Sequence, residues 1–404
     1  MASLDGRYLI VVFLSLYYLL LLFTPAPTAD QLWSWRGFPA ALPPFRDAHC
    51  LIAGAESMRD GYDPIVSNPR DPDQVRANYP HVWFSTLLAS GVRLGNTKTF
   101  GVLLALSFYG MVLLYAGRVT LFEGLIWSVL LCLPPSMLAV ERGNNDLVVF
   151  DLLALALLAR RIRSSVGTAV GYALIEVCAI LKLFPITAIS LALRGASRRS
   201  VAAMAVCLLV FVGYACAIHG QLSNIAAVMP EPYSLAFGAR VLATRYNVTH
   251  VPMIPLIAPV IVAVAGAALA AIGAMLTPPL KYLSSSHLDG LTTGSALFVP
   301  VFILNNNYNY RLVFLLFTLP ALCRLIRSPG RHGILGALMI GSILVGWAFS
   351  CESLSWFYHT KELANWTIFL GMSFLWVKCV GQTPSGNRLS YLPVTSETCS
   401  EKQA

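Results

Sequence analysis

The chain has 404 residues, 57% of them hydrophobic and only 12% charged, with a mean hydropathy of +0.68. Soluble domains carry about a quarter charged residues, so an ordinary cytosolic enzyme is excluded, and so is intrinsic disorder. Lys and Arg number 28 against 19 Asp and Glu, a net charge of +9. No Lys/Arg-rich run with interleaved aromatics occurs, so the excess reads as membrane topology and not as nucleic-acid binding.

Apolar runs long enough to cross a bilayer, or nearly so, are predicted at about 8–24, 97–117, 122–140, 145–160, 201–218, 254–276, 291–304, 312–327, 334–350 and 364–380. The first is too long for a signal-peptide core and is followed by Pro25-Ala26-Pro27, a poor cleavage context, so it reads as a retained helix. The loop from about 25 to 96 holds seven of the nineteen acids. Within it, Asp47 to Met58 reads as an amphipathic helix and Pro64 to Pro72 as turns. Val82 to Val92 is apolar but too short to span, which suits a helix lying at the interface.

Three basic clusters fix the orientation: Arg160, Arg161 and Arg163; Arg194, Arg198 and Arg199; Arg324, Arg327 and Arg331. Placed in the cytoplasm, they leave the loops 25–96 and 219–253 outside. The run 166–193 has basic flanks on both sides, so it should enter and return as two short helices. Pro185 is the natural break and Lys182 lies at the tip. Counting this hairpin as two gives twelve helices with both termini inside. The expected architecture is an all-α polytopic membrane domain over 1–381, followed by a polar, mobile cytoplasmic tail at 382–404. No internal repeat is evident, which weighs against a transporter of duplicated halves. The nine scattered cysteines, without a CxxC pair, read as small core residues and not as a metal site.

An outward carboxylate near the membrane plane, such as Asp47, has the chemistry of a general base. It could equally be paired with Arg46 or cap the next helix. Lys182, deep in an apolar hairpin, needs a partner. An anionic lipid phosphate would serve, as would snorkelling or a pair with Glu176. Arg311 closes Asn305-Asn306-Asn307-Tyr308-Asn309-Tyr310-Arg311, a dense donor set suited to sugar hydroxyls and a phosphate, or to interfacial anchoring. Arg142, Asn144 and Asp146 sit at the same outer level. Asp151 lies within a crossing and reads as a hydrogen-bond partner of a neighbouring helix. His81 and His250 face outward as second-rank candidates for proton transfer. Asn247-Val248-Thr249 and Asn365-Trp366-Thr367 match the glycosylation acceptor pattern. The absence of Gly-rich nucleotide motifs argues against a Rossmann domain.

The order Phe45-Arg46-Asp47-Ala48, Ala53-Gly54, Gly61-Tyr62-Asp63-Pro64 and Tyr79-Pro80-His81 resembles the first outer loop of glycosyltransferase family 87, a group of GT-C-type polyprenyl-phosphate-sugar transferases that includes bacterial mannosyltransferases. His81 stands where the family has a second proline. Arg142-Gly143-Asn144-Asn145-Asp146 resembles the family's Gly-Asn-x-Asn/Asp element, and Lys182-Leu183-Phe184-Pro185 its Lys-x-x-Pro hairpin tip. The resemblance covers roughly the first half of the chain. It implies a GT-C fold and an inverting hexosyltransferase of the outer face, with a hexose such as mannose moved from polyprenyl phosphate to a glycan or lipid acceptor. Asp47 matches the expected catalytic base. Lys182, Arg311, Arg142, Asn144, Asp146, Tyr79, His81, Tyr308 and Tyr310 are the expected substrate-binding set. No metal or cofactor is implied beyond the lipid-linked donor, and a prokaryotic plasma membrane fits the short loops. The alternative is a transporter or flippase for a lipid-linked or small anionic substrate.

Overall fold

The computed structural model describes residues 5–23, 43–194, 197–249, 254–280, 282–350 and 355–382. Pro25-Ala26-Pro27, His250 and the tail from 383 onward lie outside the described residues. The described chain is helical, apart from an antiparallel pairing of Ala236–Phe237 (β1) with Asn307–Tyr308 (β2). Backbone groups in hydrocarbon must be satisfied internally, and helices do this within one segment.

In chain order the first helices are α1 (Arg7–Phe23), α2 (Arg46–Arg59), α3 (His81–Ser90), α4 (Thr97–Ala116), α5 (Leu121–Leu131), α6 (Pro134–Arg142), α7 (Asp146–Arg161) and α8 (Ser165–Lys182). A 3-10 helix follows over Phe184–Leu193. Then come α9 (Arg198–Ala217), α10 (His219–Val228), α11 (Val241–Thr249), α12 (Ile257–Leu276) and α13 (Ser285–Leu304). A second 3-10 helix, Asn309–Thr318, runs into α14 (Leu319–Ile326), and α15 (Arg331–Ala348) and α16 (Ser355–Val380) complete the bundle. Eight helices among the described residues are long and apolar enough to cross a membrane, or nine if the bent pair α5 and α6 is one span. The chain is an all-α multi-pass membrane protein.

The run expected as one crossing at 122–140 is bent by 54° between α5 and α6. Pro134 and Pro135 explain the break, because proline suits the first helical turn but cannot continue a preceding helix. The run expected from 291 begins at Ser285, where the Ser284 hydroxyl accepts from His287 N–H. The last helix begins at Ser355 instead of 364.

The centre of the bundle is α13 and the Asn309–Ile326 segment, with 78% and 72% of their spanning windows buried. Their aromatic rings stack on neighbours, Phe317 on Phe150 at 4.5 Å and Phe302 on Phe369 at 4.4 Å. By contrast, α9 has no fully buried residue. It rests Ala203, Met204 and Cys207 against the bundle beside α8 and the Phe184–Leu193 helix and leaves the rest of its apolar surface outward, as a lipid-facing peripheral helix does.

Ser164 caps α8 by accepting from Gly167 N–H. The helix ends at Lys182, where Leu183 takes φ 24° and Pro185 follows. The 3-10 helix then packs back along α8. Both flanks of this segment meet one carboxylate: Arg160 lies 3.3 Å from Asp289, and Arg194 also donates to Asp289. The two basic flanks therefore share one end of the bundle, and Lys182 lies at the other end of α8.

The long first loop is folded. Leu51, Ile52 and Ala55 of α2 form an apolar cluster with Ile65, Ala77, Trp83, Phe84 and Leu87, covered by Ile225 of α10. Arg46 closes it with 3.0 Å contacts to both Asp71 oxygens and 2.7 Å to Asp73. Trp83 donates its indole N–H to Leu181 O at 3.0 Å, which seats the loop on the end of α8.

Candidate functional site

Asp47 is in the first turn of α2. Phe45 ahead of it adopts φ 59°, and its ring packs against Gly101, where no Cβ would fit, and close to Gly143, where a Cβ would be tight. Gly143 itself has φ 57°, the left-handed conformation that ends α6 and turns the chain into Asn144. Phe45 and Gly143 together aim Asp47 at the α6–α7 junction.

At that junction one amide bridges two acids. Asn144 Nδ2 donates to Asp47 Oδ2 at 2.6 Å, while Asn144 Oδ1 accepts from the Asp146 N–H at 2.8 Å. Arg142 Nη1 lies 3.5 Å from Asp47 Oδ1. Asp47 Oδ2 is thus firmly held. Oδ1 has only a contact at the outer limit of hydrogen bonding and keeps free lone pairs.

Asp146, 0% exposed, is the shared counter-ion of two cations from distant segments. Its Oδ1 accepts from Lys182 Nζ at 2.6 Å, and its Oδ2 lies 3.5 Å from Arg311 Nε. Lys182 Nζ lies 5.4 Å from the Tyr79 ring centroid, and the Arg311 guanidinium 5.2 Å from that of Phe184. Arg311 also donates to Asn307 Oδ1 on β2. Tyr308 and Tyr310 stack at 5.6 Å between centroids. Burial, with Asp47 and Asp146 nearby, pushes the Tyr79 phenol well above its usual value. Burial raises Tyr308 too, against the opposing pull of Arg142. Both phenols therefore stay protonated donors at neutral pH. A narrow crevice of about 10 Å³ opens beside Arg311, lined by Phe184, Phe298 and Phe314.

Nine of the ten residues singled out from sequence thus lie in or against one constellation: Asp47, Arg142, Asn144, Asp146, Lys182, Arg311, Tyr79, Tyr308 and Tyr310. His81 does not join it. Its Nε2 lies 2.9 Å from Asp63 Oδ1, and its backbone N–H donates to the Gln221 side chain. The start of α3 holds the imidazole on Asp63, and no hydrogen bond or ion pair among the described residues links it to Asp47, Lys182 or Arg311. Arg46 is taken by Asp71 and Asp73, so it is not the partner of Asp47. Glu176 is likewise not the partner of Lys182. Asp151 accepts from Ser107 of α4, a helix-to-helix bond. Asn365 is fully buried inside α16, a place no glycan can occupy.

One acid escaped sequence reasoning. Asp289, which gathers Arg160 and Arg194, is an acid at the edge of an apolar run, and that is itself a signal. Asn309, part of the donor set read from the sequence, and Asn145, 1% and 4% exposed, flank Arg311 and Asp146 with side-chain amides that have no hydrogen-bond partner among the described residues. Buried amides of this kind mark a site where water or a ligand belongs. Among the described residues no cluster of three or more His, Cys, Asp or Glu could hold a metal ion. No protein-family model matches the chain, and neither the curated proteins nor the solved structures contain a match.

Proposed function

We propose that the chain is a GT-C-type membrane glycosyltransferase that moves a hexose, such as mannose, from a polyprenyl-phosphate donor to an outer-face lipid or glycan acceptor. In this reading the bundle makes twelve crossings. The shorter helices α1 and α7, the bent pair α5–α6 and the Phe184–Leu193 helix join the eight long ones, and the 166–193 segment is a hairpin. The constellation then faces outward, opposite the basic loops, as expected of a prokaryotic plasma-membrane enzyme.

The observation that carries the proposal is the convergence of a reachable carboxylate, Asp47, with a cationic pair, Lys182 and Arg311, that shares one acid. Two cations on one carboxylate leave one positive charge for a phosphate ester. Asp47 Oδ1 is the atom placed to take a proton from the acceptor hydroxyl as that oxygen attacks the anomeric carbon. The bond to the donor phosphate breaks in the same displacement, so configuration inverts. Lys182 and Arg311 bind the developing phosphate charge, and Tyr79, Asn145 and Asn309 offer hydrogen bonds to sugar hydroxyls.

The test is purified protein in proteoliposomes with a radiolabelled polyprenyl-phosphate hexose and a glycolipid acceptor. Labelled acceptor supports the proposal. Movement of intact donor between leaflets without transfer would establish the transporter alternative instead.

A further inference from the structure

At the end of the bundle that carries the basic loops, the structure holds a cavity of about 640 Å³. Its walls are mainly apolar, with Leu193, Met275, Pro279, Trp376, Val377 and Val380 among them. One charged group lines it, Lys378, at 8% exposure. Its Nζ donates to Ala274 O at 2.6 Å and to Thr277, all neutral oxygens. No carboxylate among the described residues pairs with it. A buried ammonium solvated only by carbonyl and hydroxyl dipoles lacks the counter-ion that buried charges normally keep.

The neighbouring groups add to the imbalance. Arg194, next in the chain to the wall residue Leu193, shares the single carboxylate of Asp289 with Arg160. Arg194 is 7% exposed, and among the described residues its Nε has no hydrogen-bond partner. Among Lys378, Arg194, Arg160 and Asp289, three cations face one acid, so this group carries two positive charges in excess. The cavity thus joins an apolar slot to an uncompensated cationic wall, which is the complement of an amphiphile with an anionic head.

We propose that this cavity binds an anionic phospholipid of the adjacent leaflet, with an acyl chain in the slot and its phosphate against Lys378. The site lies at the opposite end of α8 from Lys182 and Asp146 and is independent of the proposed chemistry. A zwitterionic lipid presents the same chain but a compensated head, so the charge at Lys378 confers preference for the anionic one.

The experiment is native mass spectrometry of the detergent-purified full chain with phosphatidylglycerol or phosphatidylcholine added. The wild type should retain phosphatidylglycerol preferentially. Lys378→Met should lower that affinity about tenfold, the effect of losing a charge-assisted contact, and Lys378→Arg should keep the preference. Val377→Trp leaves Lys378 in place and fills the slot, so it should lower retention of both lipids. Equal retention of the two lipids by the wild type overturns the proposal. So does an unchanged phosphatidylglycerol preference in both Lys378→Met and Val377→Trp, which would place the lipid elsewhere.

Discussion

Lys182→Met removes a charge and leaves its partner in place. Asp146 is fully buried, and its closest contact is Lys182 Nζ at 2.6 Å; among the described residues the Arg311 Nε at 3.5 Å is the only other cation on it. Removing one member of a buried ion pair typically costs about 3–5 kcal/mol, because the remaining charge stays desolvated. Arg311 still reaches Asp146, and the unfolded state in a membrane also finds partners, so the cost should fall near the lower end, about 3 kcal/mol. The double variant Lys182→Met with Asp146→Asn removes both charges, and most of that loss should return. Reversible unfolding in detergent micelles measures both. If the single and double variants are equally destabilised, or Lys182→Met unfolds like the wild type, the pairing does not hold α8 to α7 and the argument fails.

Gly101→Val should displace Phe45 and with it Asp47, at a cost of roughly 1–3 kcal/mol for overpacking; wild-type thermal stability and transfer activity would contradict the placement. Burial, with Asp71 nearby, pushes the Cys50 thiol up to about 12. Its thiolate fraction at pH 8 is therefore about 10⁻⁴, so Cys50 should resist alkylation in the folded protein, and rapid labelling would show the loop to be open. Burial works against the Asp71 charge, but its bonds to Arg46 outweigh that and hold the carboxyl below its usual range. The resulting stability is present above about pH 4 and lost as pH falls through the lowered value. Protease resistance of the 43–96 loop should follow that curve, and Arg46→Gln should abolish the dependence. Single cysteines at Ser164 and Ser197 should both be protected from an impermeant thiol reagent in intact cells; labelling of one alone excludes the hairpin topology.

Much of the site could be read from the sequence because the cost of a charge in an apolar run is local information. Lys182 and Arg311 stand out against their neighbours, and the acid-rich loop around Asp47 is unlike any other part of the chain. Helix positions followed roughly from run length, but 122–140 was read as one crossing although Pro134 and Pro135 stand in it, and the bend between α5 and α6 lies there. Pairing is different, because it is set by which helices pack together. Asp146 binds Lys182 over 36 positions, while Glu176, one and a half turns along the same helix, points elsewhere. Arg46, adjacent to Asp47, turns to Asp71 because the loop folds upon itself. His81 lost its place for the same reason: Asp63 lies within reach once Pro64 turns the chain. Asp289 escaped notice because it sits at the mouth of its apolar run, where a sequence reading places the boundary.

The central claim is that Asp47 takes the acceptor proton while Lys182 holds the donor phosphate. Donor binding and transfer should be scored separately, with purified protein and a polyprenyl-phosphate hexose, for Asp47→Asn and Lys182→Met. Asp47→Asn keeps the side-chain size and loses the proton acceptor, so transfer should fall by about 10²–10⁴ with donor binding intact. Lys182→Met should instead weaken donor binding about 10- to 100-fold. Full transfer activity in Asp47→Asn would contradict the mechanism and leave the Asp47–Asn144 contact as a structural tie between the first loop and the bundle.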